Sequence, residues 1–240
     1  MLHSIDNERL AVAIDAHGAE LRSIRGHDGI EYLWQGDPAF WSRRAPVLFP
    51  IVGRLRGDRC RIGKDVYSLE QHGFARDSEF ELVVSAEDRL RFELASTPES
   101  RESYPFDFVL AVEYRLARSA VAVTFEVTNS GREPLPFSIG AHPAFSCRWA
   151  EGDSLEDFFL EFEQAETVDT VVLEDGLLSA GRERLLEEES LLPLRKDLFD
   201  RGALVLLDHR SRTVSLGRVG SRRRLAVSFP GFPHLGIWSK

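Results

Sequence analysis

Two histidines sit in settings suited to proton transfer. His72 lies in Gln71-His72-Gly73-Phe74-Ala75-Arg76, and His142 lies in Gly140-Ala141-His142-Pro143-Ala144-Phe145. An unperturbed imidazole titrates at about pH 6.5, so it can hold or release a proton near neutrality. Gly73 admits backbone angles that a side chain forbids. Arg76, in the same short stretch, is a donor for sugar hydroxyls or an anion. Pro143 biases His142 toward extended geometry, a rigidity that suits a side chain aimed at a substrate. The plainer readings are a structural hydrogen-bonder at His72 and a core histidine at His142.

Arginine is the other recurrent functional type. Arg54 follows the proline-rich turn Ala45-Pro46-Val47-Leu48-Phe49-Pro50-Ile51-Val52-Gly53 and precedes Arg56, Arg59 and Arg61. Asp58 interrupts this run, and strand alternation would spread it over both faces. It is therefore either a phosphate-binding cluster or a solvated edge. Arg222-Arg223-Arg224 falls in a turn of an acidic protein and reads as surface. The chain has no phosphate-binding loop, dinucleotide glycine fingerprint, HExxH or GxSxG. Cys60 and Cys147 lack both CxxC and metal-ligand spacing. A single disulfide is arithmetically open, but idle thiols in a reducing compartment are the simpler reading.

The elements that must carry these residues are strands. Turn signals recur about every ten residues, the rhythm of an all-β sandwich. Strands are expected at 10–14, 19–24 and 31–34. The Pro46/Pro50 segment cannot be a central strand and is expected as an ordered loop at a sheet edge. Hairpins are expected at 59–62 with 66–69, at 79–85 with 90–95, and at 106–116 with 121–128. Alternation is clearest in Val121, Val123, Phe125 and Val127. Residues 135–139 lead to His142. Residues 151–163 read as strand or loop. Residues 174–192, with Glu187-Glu188-Glu189, read as a solvated connection rather than an interaction patch. A short helical turn is expected within 193–201, and strands at 203–207, 214–216 and 225–229. No helical period of 12 or more residues is present, and one domain spanning 1–240 is expected.

The totals agree with a globular protein. Of the 240 residues, 43% are apolar, enough for a sizeable core, and the net charge is −9. That charge opposes non-specific binding to nucleic acid and to an anionic membrane surface. The N-terminus lacks a basic segment followed by an apolar run, and no apolar stretch reaches membrane-spanning length. The expected location is cytoplasmic.

Taken together, several segments resemble the aldose 1-epimerase (galactose mutarotase) superfamily, and within it the LacX-like branch. They are Tyr32-Leu33-Trp34-Gln35-Gly36-Asp37-Pro38 with Trp41, the Pro46 to Arg54 turn, Gln71 to Arg76, Ile139 to Phe145, and Phe232-Pro233-His234-Leu235-Gly236-Ile237-Trp238-Ser239-Lys240. The resemblance implies an all-β fold, a large antiparallel β-sandwich (the supersandwich of galactose mutarotases). It implies α/β anomer interconversion of an aldose with no metal or cofactor. One group takes the proton of the anomeric hydroxyl, another protonates the ring oxygen, and the opened sugar rotates and recloses. His142 resembles the general acid at the ring oxygen, and His72 the second histidine that orients the sugar. Arg54 matches a substrate-binding arginine, with Arg76 a second candidate. Asp200 aligns loosely with a sugar-binding aspartate.

The family's base is a glutamate beyond the GIWSK stretch, in a segment resembling CIEPW. The sequence ends at Lys240, so the base and the closing strands are expected to lie outside it. The chain is then a shortened product, a partial chain, or a variant that binds without turnover. Two rivals stay open: a non-catalytic carbohydrate-binding or sugar-sensing module, and a hexose-6-phosphate mutarotase with two or more of Arg54, Arg56 and Arg76 converging on one anion. The expected partners are a small-molecule sugar and, through an unpaired sheet edge, a second copy in a homodimer. Nucleic acid and membrane are not expected.

Overall fold

The computed structural model describes residues 1–240 and divides into two compact units, Met1–Ser146 and Cys147–Lys240. In the first, β1 (Leu2–Asp6), β2 (Leu10–Asp15) and β3 (Glu20–Gly26) form an antiparallel meander. A two-residue strand, β4 (Val47–Leu48), and the hairpin β5 (Arg59–Ile62) with β6 (Asp65–Ser68) follow. Next come β7 (Glu81–Ser85), β8 (Arg89–Ala95), the short helix α1 (Pro98–Ser103), β9 (Phe108–Ala117) and β10 (Ala120–Asn129). These four strands make a second antiparallel sheet in the order β10-β9-β8-β7. Finally β11 (Gly140–Ala141) returns to pair with β4.

The two larger sheets of this unit share one core, which makes it a sandwich. Val12, Ile14 and Leu21 from the meander are buried in the same cluster as Leu90, Phe92, Leu110, Val112 and Tyr114. The alternation of β2 supplies one inner face, because successive strand side chains point to opposite sides. Tyr114 crosses between the sheets and donates its hydroxyl hydrogen to the Ala19 carbonyl at 2.8 Å. Phe49, fully buried beside β4, packs its ring against Phe74, Tyr104, Phe108 and Phe137. The loop that leads toward the histidines is thus rooted in the core.

The second unit is built on β12 (Phe158–Glu174) and β13 (Leu177–Pro193), a pair of 17-residue strands. The short β14 (Leu204–Leu206) follows, then β15 (Thr213–Arg218), β16 (Arg224–Ser228) and β17 (Leu235–Ile237). Their sheet runs β13-β12-β15-β16, while β14 pairs with β17. Residues 174–192 are therefore mostly strand and not the expected connection. Register shifts at Glu166 and Val168, and a left-handed Glu188 (φ 56°), break the inside–outside period there. The buried Glu166 carboxylate accepts from Ser211 N at 2.6 Å, Ser211 Oγ at 2.7 Å and Arg210 N at 3.1 Å. It fixes the 208–211 turn.

The three expected hairpins form, as does a short 3₁₀ turn at Lys196–Phe199. Residues 31–34 do not make a strand; only single bridges occur, Arg25 with Glu31 and Leu33 with Phe145. Gly36 (φ 71°) turns the chain away too soon. Both cysteines are free. No helix is long and apolar enough to cross a membrane.

Candidate functional site

Three segments of the first unit meet around the histidines, and backbone hydrogen bonds fix how they meet. The β4–β11 register sets Gly140 against Leu48 and Ala141 against Val47. The next residue, His142, donates its N–H to the Pro46 carbonyl at 3.2 Å. The third segment joins through Phe49, whose carbonyl accepts from Phe74 N at 3.0 Å and Ala75 N at 3.2 Å. Gly73 makes this possible. Its φ is +69°, and an added Cβ would strike the Phe49 carbonyl.

His72 is held on both backbone and ring. Its N–H donates to Gly53 O at 2.8 Å, and Gly53 N–H donates back to His72 Nδ1 at 3.1 Å. The bond to Nδ1 places the proton of the neutral ring on Nε2. His72 has φ +68°, a left-handed conformation uncommon outside glycine. Such strain persists where the surroundings over-determine it, and it concentrates at functional positions.

The two imidazoles lie edge to face, with centroids 5.9 Å apart and planes at 83°. On its other side His142 meets Trp41, centroids 5.0 Å apart and planes tilted by 37°. Both histidines are half-buried. Burial, then the charge of His142, then Arg76 and Arg43, push the His72 pKa down to about 4. His142 is also lowered, chiefly by burial and further by Arg76, although a backbone hydrogen bond partly opposes this. Both rings are thus pushed toward the neutral form, and a charge on one imidazole opposes a charge on the other.

Arg76 is the structure's cationic neighbour to this pair. Its side chain is 17% exposed, donates Nη2–H to Gln71 O at 2.7 Å and lies 3.4 Å from Asp77. Arg43 reaches the same carboxylate at 2.8 Å and the Arg76 carbonyl at 3.5 Å. Asp77 thus gathers two guanidinium groups beside two imidazoles.

The sequence-predicted residues separate accordingly. His72, His142 and Arg76 come together. Arg54 adjoins Gly53, but its exposed guanidinium is engaged in both directions by Asp58, at 2.9 and 3.0 Å. Asp200 belongs to the other unit and is exposed at the end of the Lys196–Phe199 turn. Arg43 was not singled out by sequence; its only signal is its place between Trp41 and the proline-rich turn. No group of three or more His, Cys, Asp or Glu side chains is arranged to hold a metal ion.

Comparison with known proteins gives the same lineage by three routes. Residues 1–219 match the family described as aldose 1-epimerase. Plasmid-encoded protein LacX of Lactococcus lactis subsp. lactis is 38% identical, and the alignment covers 100% of this chain and 83% of LacX. The crystal structure of a galactose mutarotase related enzyme from Lactobacillus acidophilus superposes with a TM-score of 0.95 at 35% identity, covering 100% of this chain and 80% of that one. A galactose mutarotase-like protein from Lactobacillus casei gives 0.93 at 31% identity, covering 100% and 83%. The fold is therefore the antiparallel β-sandwich of galactose mutarotase-like proteins.

Proposed function

The chain belongs to the aldose 1-epimerase family, and from that premise we propose that it interconverts the α and β anomers of an aldose by acid–base ring opening and closure. The observation that carries this reading is the histidine pair, two half-buried imidazoles with centroids 5.9 Å apart and planes at 83°. The resemblance assigns His142 the proton for the ring oxygen, and the Gly53 N–H bond to Nδ1 leaves His72 Nε2–H as a donor beside it. In the proposed cycle a carboxylate withdraws the proton of the anomeric hydroxyl. The C1–O5 bond breaks, and protonated His142 delivers its proton to the departing ring oxygen. His72 Nε2–H and Arg76 hold the sugar's oxygens while C1–C2 rotates. Reclosure on the other carbonyl face gives the other anomer, and the protons return by the same route.

Arg54 reaches a sugar in this scheme by releasing Asp58. Asp200 stays a proposed sugar contact on the strength of the alignment alone. The proton acceptor is the carboxylate that the family resemblance implies.

The test is polarimetry with the purified chain, following α-glucose and α-galactose toward equilibrium. Catalysis above the buffer rate that His142→Ala abolishes, with the fold retained by circular dichroism, supports the reading. Full activity in His142→Ala overturns it. Sugar binding by calorimetry without turnover favours a carbohydrate-binding module instead. A second reading, a hexose 6-phosphate as substrate, draws on the convergence of Arg43 and Arg76 at Asp77. It requires inorganic phosphate to inhibit competitively and Arg43→Gln to relieve that inhibition.

A further inference from the structure

The segment that presents Trp41 is built with more hydrogen bonds than a passive connection needs. Gly36, at φ +71°, brings the chain back on itself; a Cβ there would lie 2.8 Å from the Ser42 carbonyl. Asp37 Oδ1 accepts from Ala39 N at 2.9 Å, and the Asp37 carbonyl accepts from Phe40 N at 3.0 Å and Trp41 N at 2.9 Å. The Trp34 indole N–H donates to the Trp41 carbonyl at 2.8 Å, and Arg44 Nη2–H donates to Gln35 O at 2.7 Å. Both ends of the loop are tied to the strand segment that carries His142. Trp34 N donates to Ala144 O, and Ala144 N donates to Arg44 O, each at 2.8 Å. The construction sets the Trp41 ring across His142, 5.0 Å between centroids.

We infer that Trp41 is a positioning residue for His142: its indole face holds the imidazole plane so that the proton-bearing edge stays turned toward the sugar's ring oxygen. The inference rests on the acid role proposed for His142. Several groups surround that ring. His72 stands edge-on, Arg76 supplies positive charge, and Trp41 covers a face. Trp41 is nearer the imidazole than His72 is, 5.0 against 5.9 Å between centroids, and an indole at that distance takes space that water would otherwise fill. Proton transfer is sensitive to such placement, because an ångström of error at a reacting group can cost about a hundredfold in rate.

The experiment compares wild type, Trp41→Leu and Trp41→Phe in mutarotation kinetics and in an activity-independent titration of His142 by imidazole NMR. Trp41→Leu is expected to lower kcat about thirtyfold while KM changes less than about threefold, because the sugar contacts remain and the acid loses its orientation. The His142 titration should move upward toward about 6.5 as water reaches the ring. Trp41→Phe, which keeps a smaller aromatic face, should fall between wild type and Trp41→Leu in both. It carries the test if Trp41→Leu does not fold. Wild-type kcat with an unmoved His142 titration in both variants would overturn the inference and leave mutarotation intact. A wild type inert toward sugars, with the titration still displaced by Trp41→Leu, would overturn the reaction and uphold the contact between the two rings.

Discussion

Replacing His72 by Asn should change how the protein's stability depends on pH. Asn tolerates the left-handed backbone at this position better than most residues, and its side-chain oxygen can accept from Gly53 N–H as Nδ1 does. The substitution therefore removes the titrating ring and spares the turn. In the folded protein His72 titrates at about 4, against 6.5 for a free ring. Between those values the unfolded chain binds more protons than the folded one. The stabilisation tied to this ring is thus present above pH 6.5 and lost as pH falls through about 4. Linkage between pH 7 and pH 5 gives a loss of about 2 kcal/mol for a fully shielded ring. Screening at this half-buried position reduces that to about 1 kcal/mol. Urea unfolding of both proteins at the two pH values measures it. The gap between wild type and His72→Asn should shrink by about 1 kcal/mol on acidification with m unchanged. Parallel pH dependences would refute the reasoning.

The other expectations concern separate parts of the molecule. Because His142 is shifted down, chiefly by burial, the high-pH limb of kcat/KM in the proposed mutarotation should fall below pH 6.5; a limb above that value contradicts His142 as the free-enzyme acid. Gly73→Ala forces a side chain into left-handed backbone and against the Phe49 carbonyl, so it should destabilise by more than about 3 kcal/mol by denaturant melt. Tyr114→Phe leaves the Ala19 carbonyl without its donor and should cost about 1–2 kcal/mol with little change in core volume. Glu166→Leu strands the donors of Arg210 and Ser211, and a loss of about 3 kcal/mol is expected in thermal unfolding.

The sequence was most legible where structure is local. The hairpins around Gly63-Lys64-Asp65 and Glu87-Asp88-Arg89 carry both alternation and turn residues, and they form near the expected places. β4, β11 and β17 are two or three residues long and exist only because a distant partner pairs with them. No window of sequence holds that information. β13 was hidden for another reason: its bulges scramble the period, and its glutamates resemble solvated loop. At the site, His72, His142 and Arg76 announce themselves by neighbouring Gly, Pro and aromatic residues. Arg43 does not, because its importance lies in sharing Asp77 with an arginine 33 positions away.

The pairing of β4 with β11 joins residues about ninety positions apart. Closing so long a loop is entropically slow, and contacts of this span assemble after local hairpins. During synthesis the segment that carries His72 leaves the ribosome long before the segment that carries His142 exists. The histidine pair is therefore among the last features of its unit to assemble. A chain halted before residue 140 would display ordered hairpins without the β4–β11 pairing, so a probe of the His72–His142 contact reports complete folding of this unit where recovery of β-structure does not.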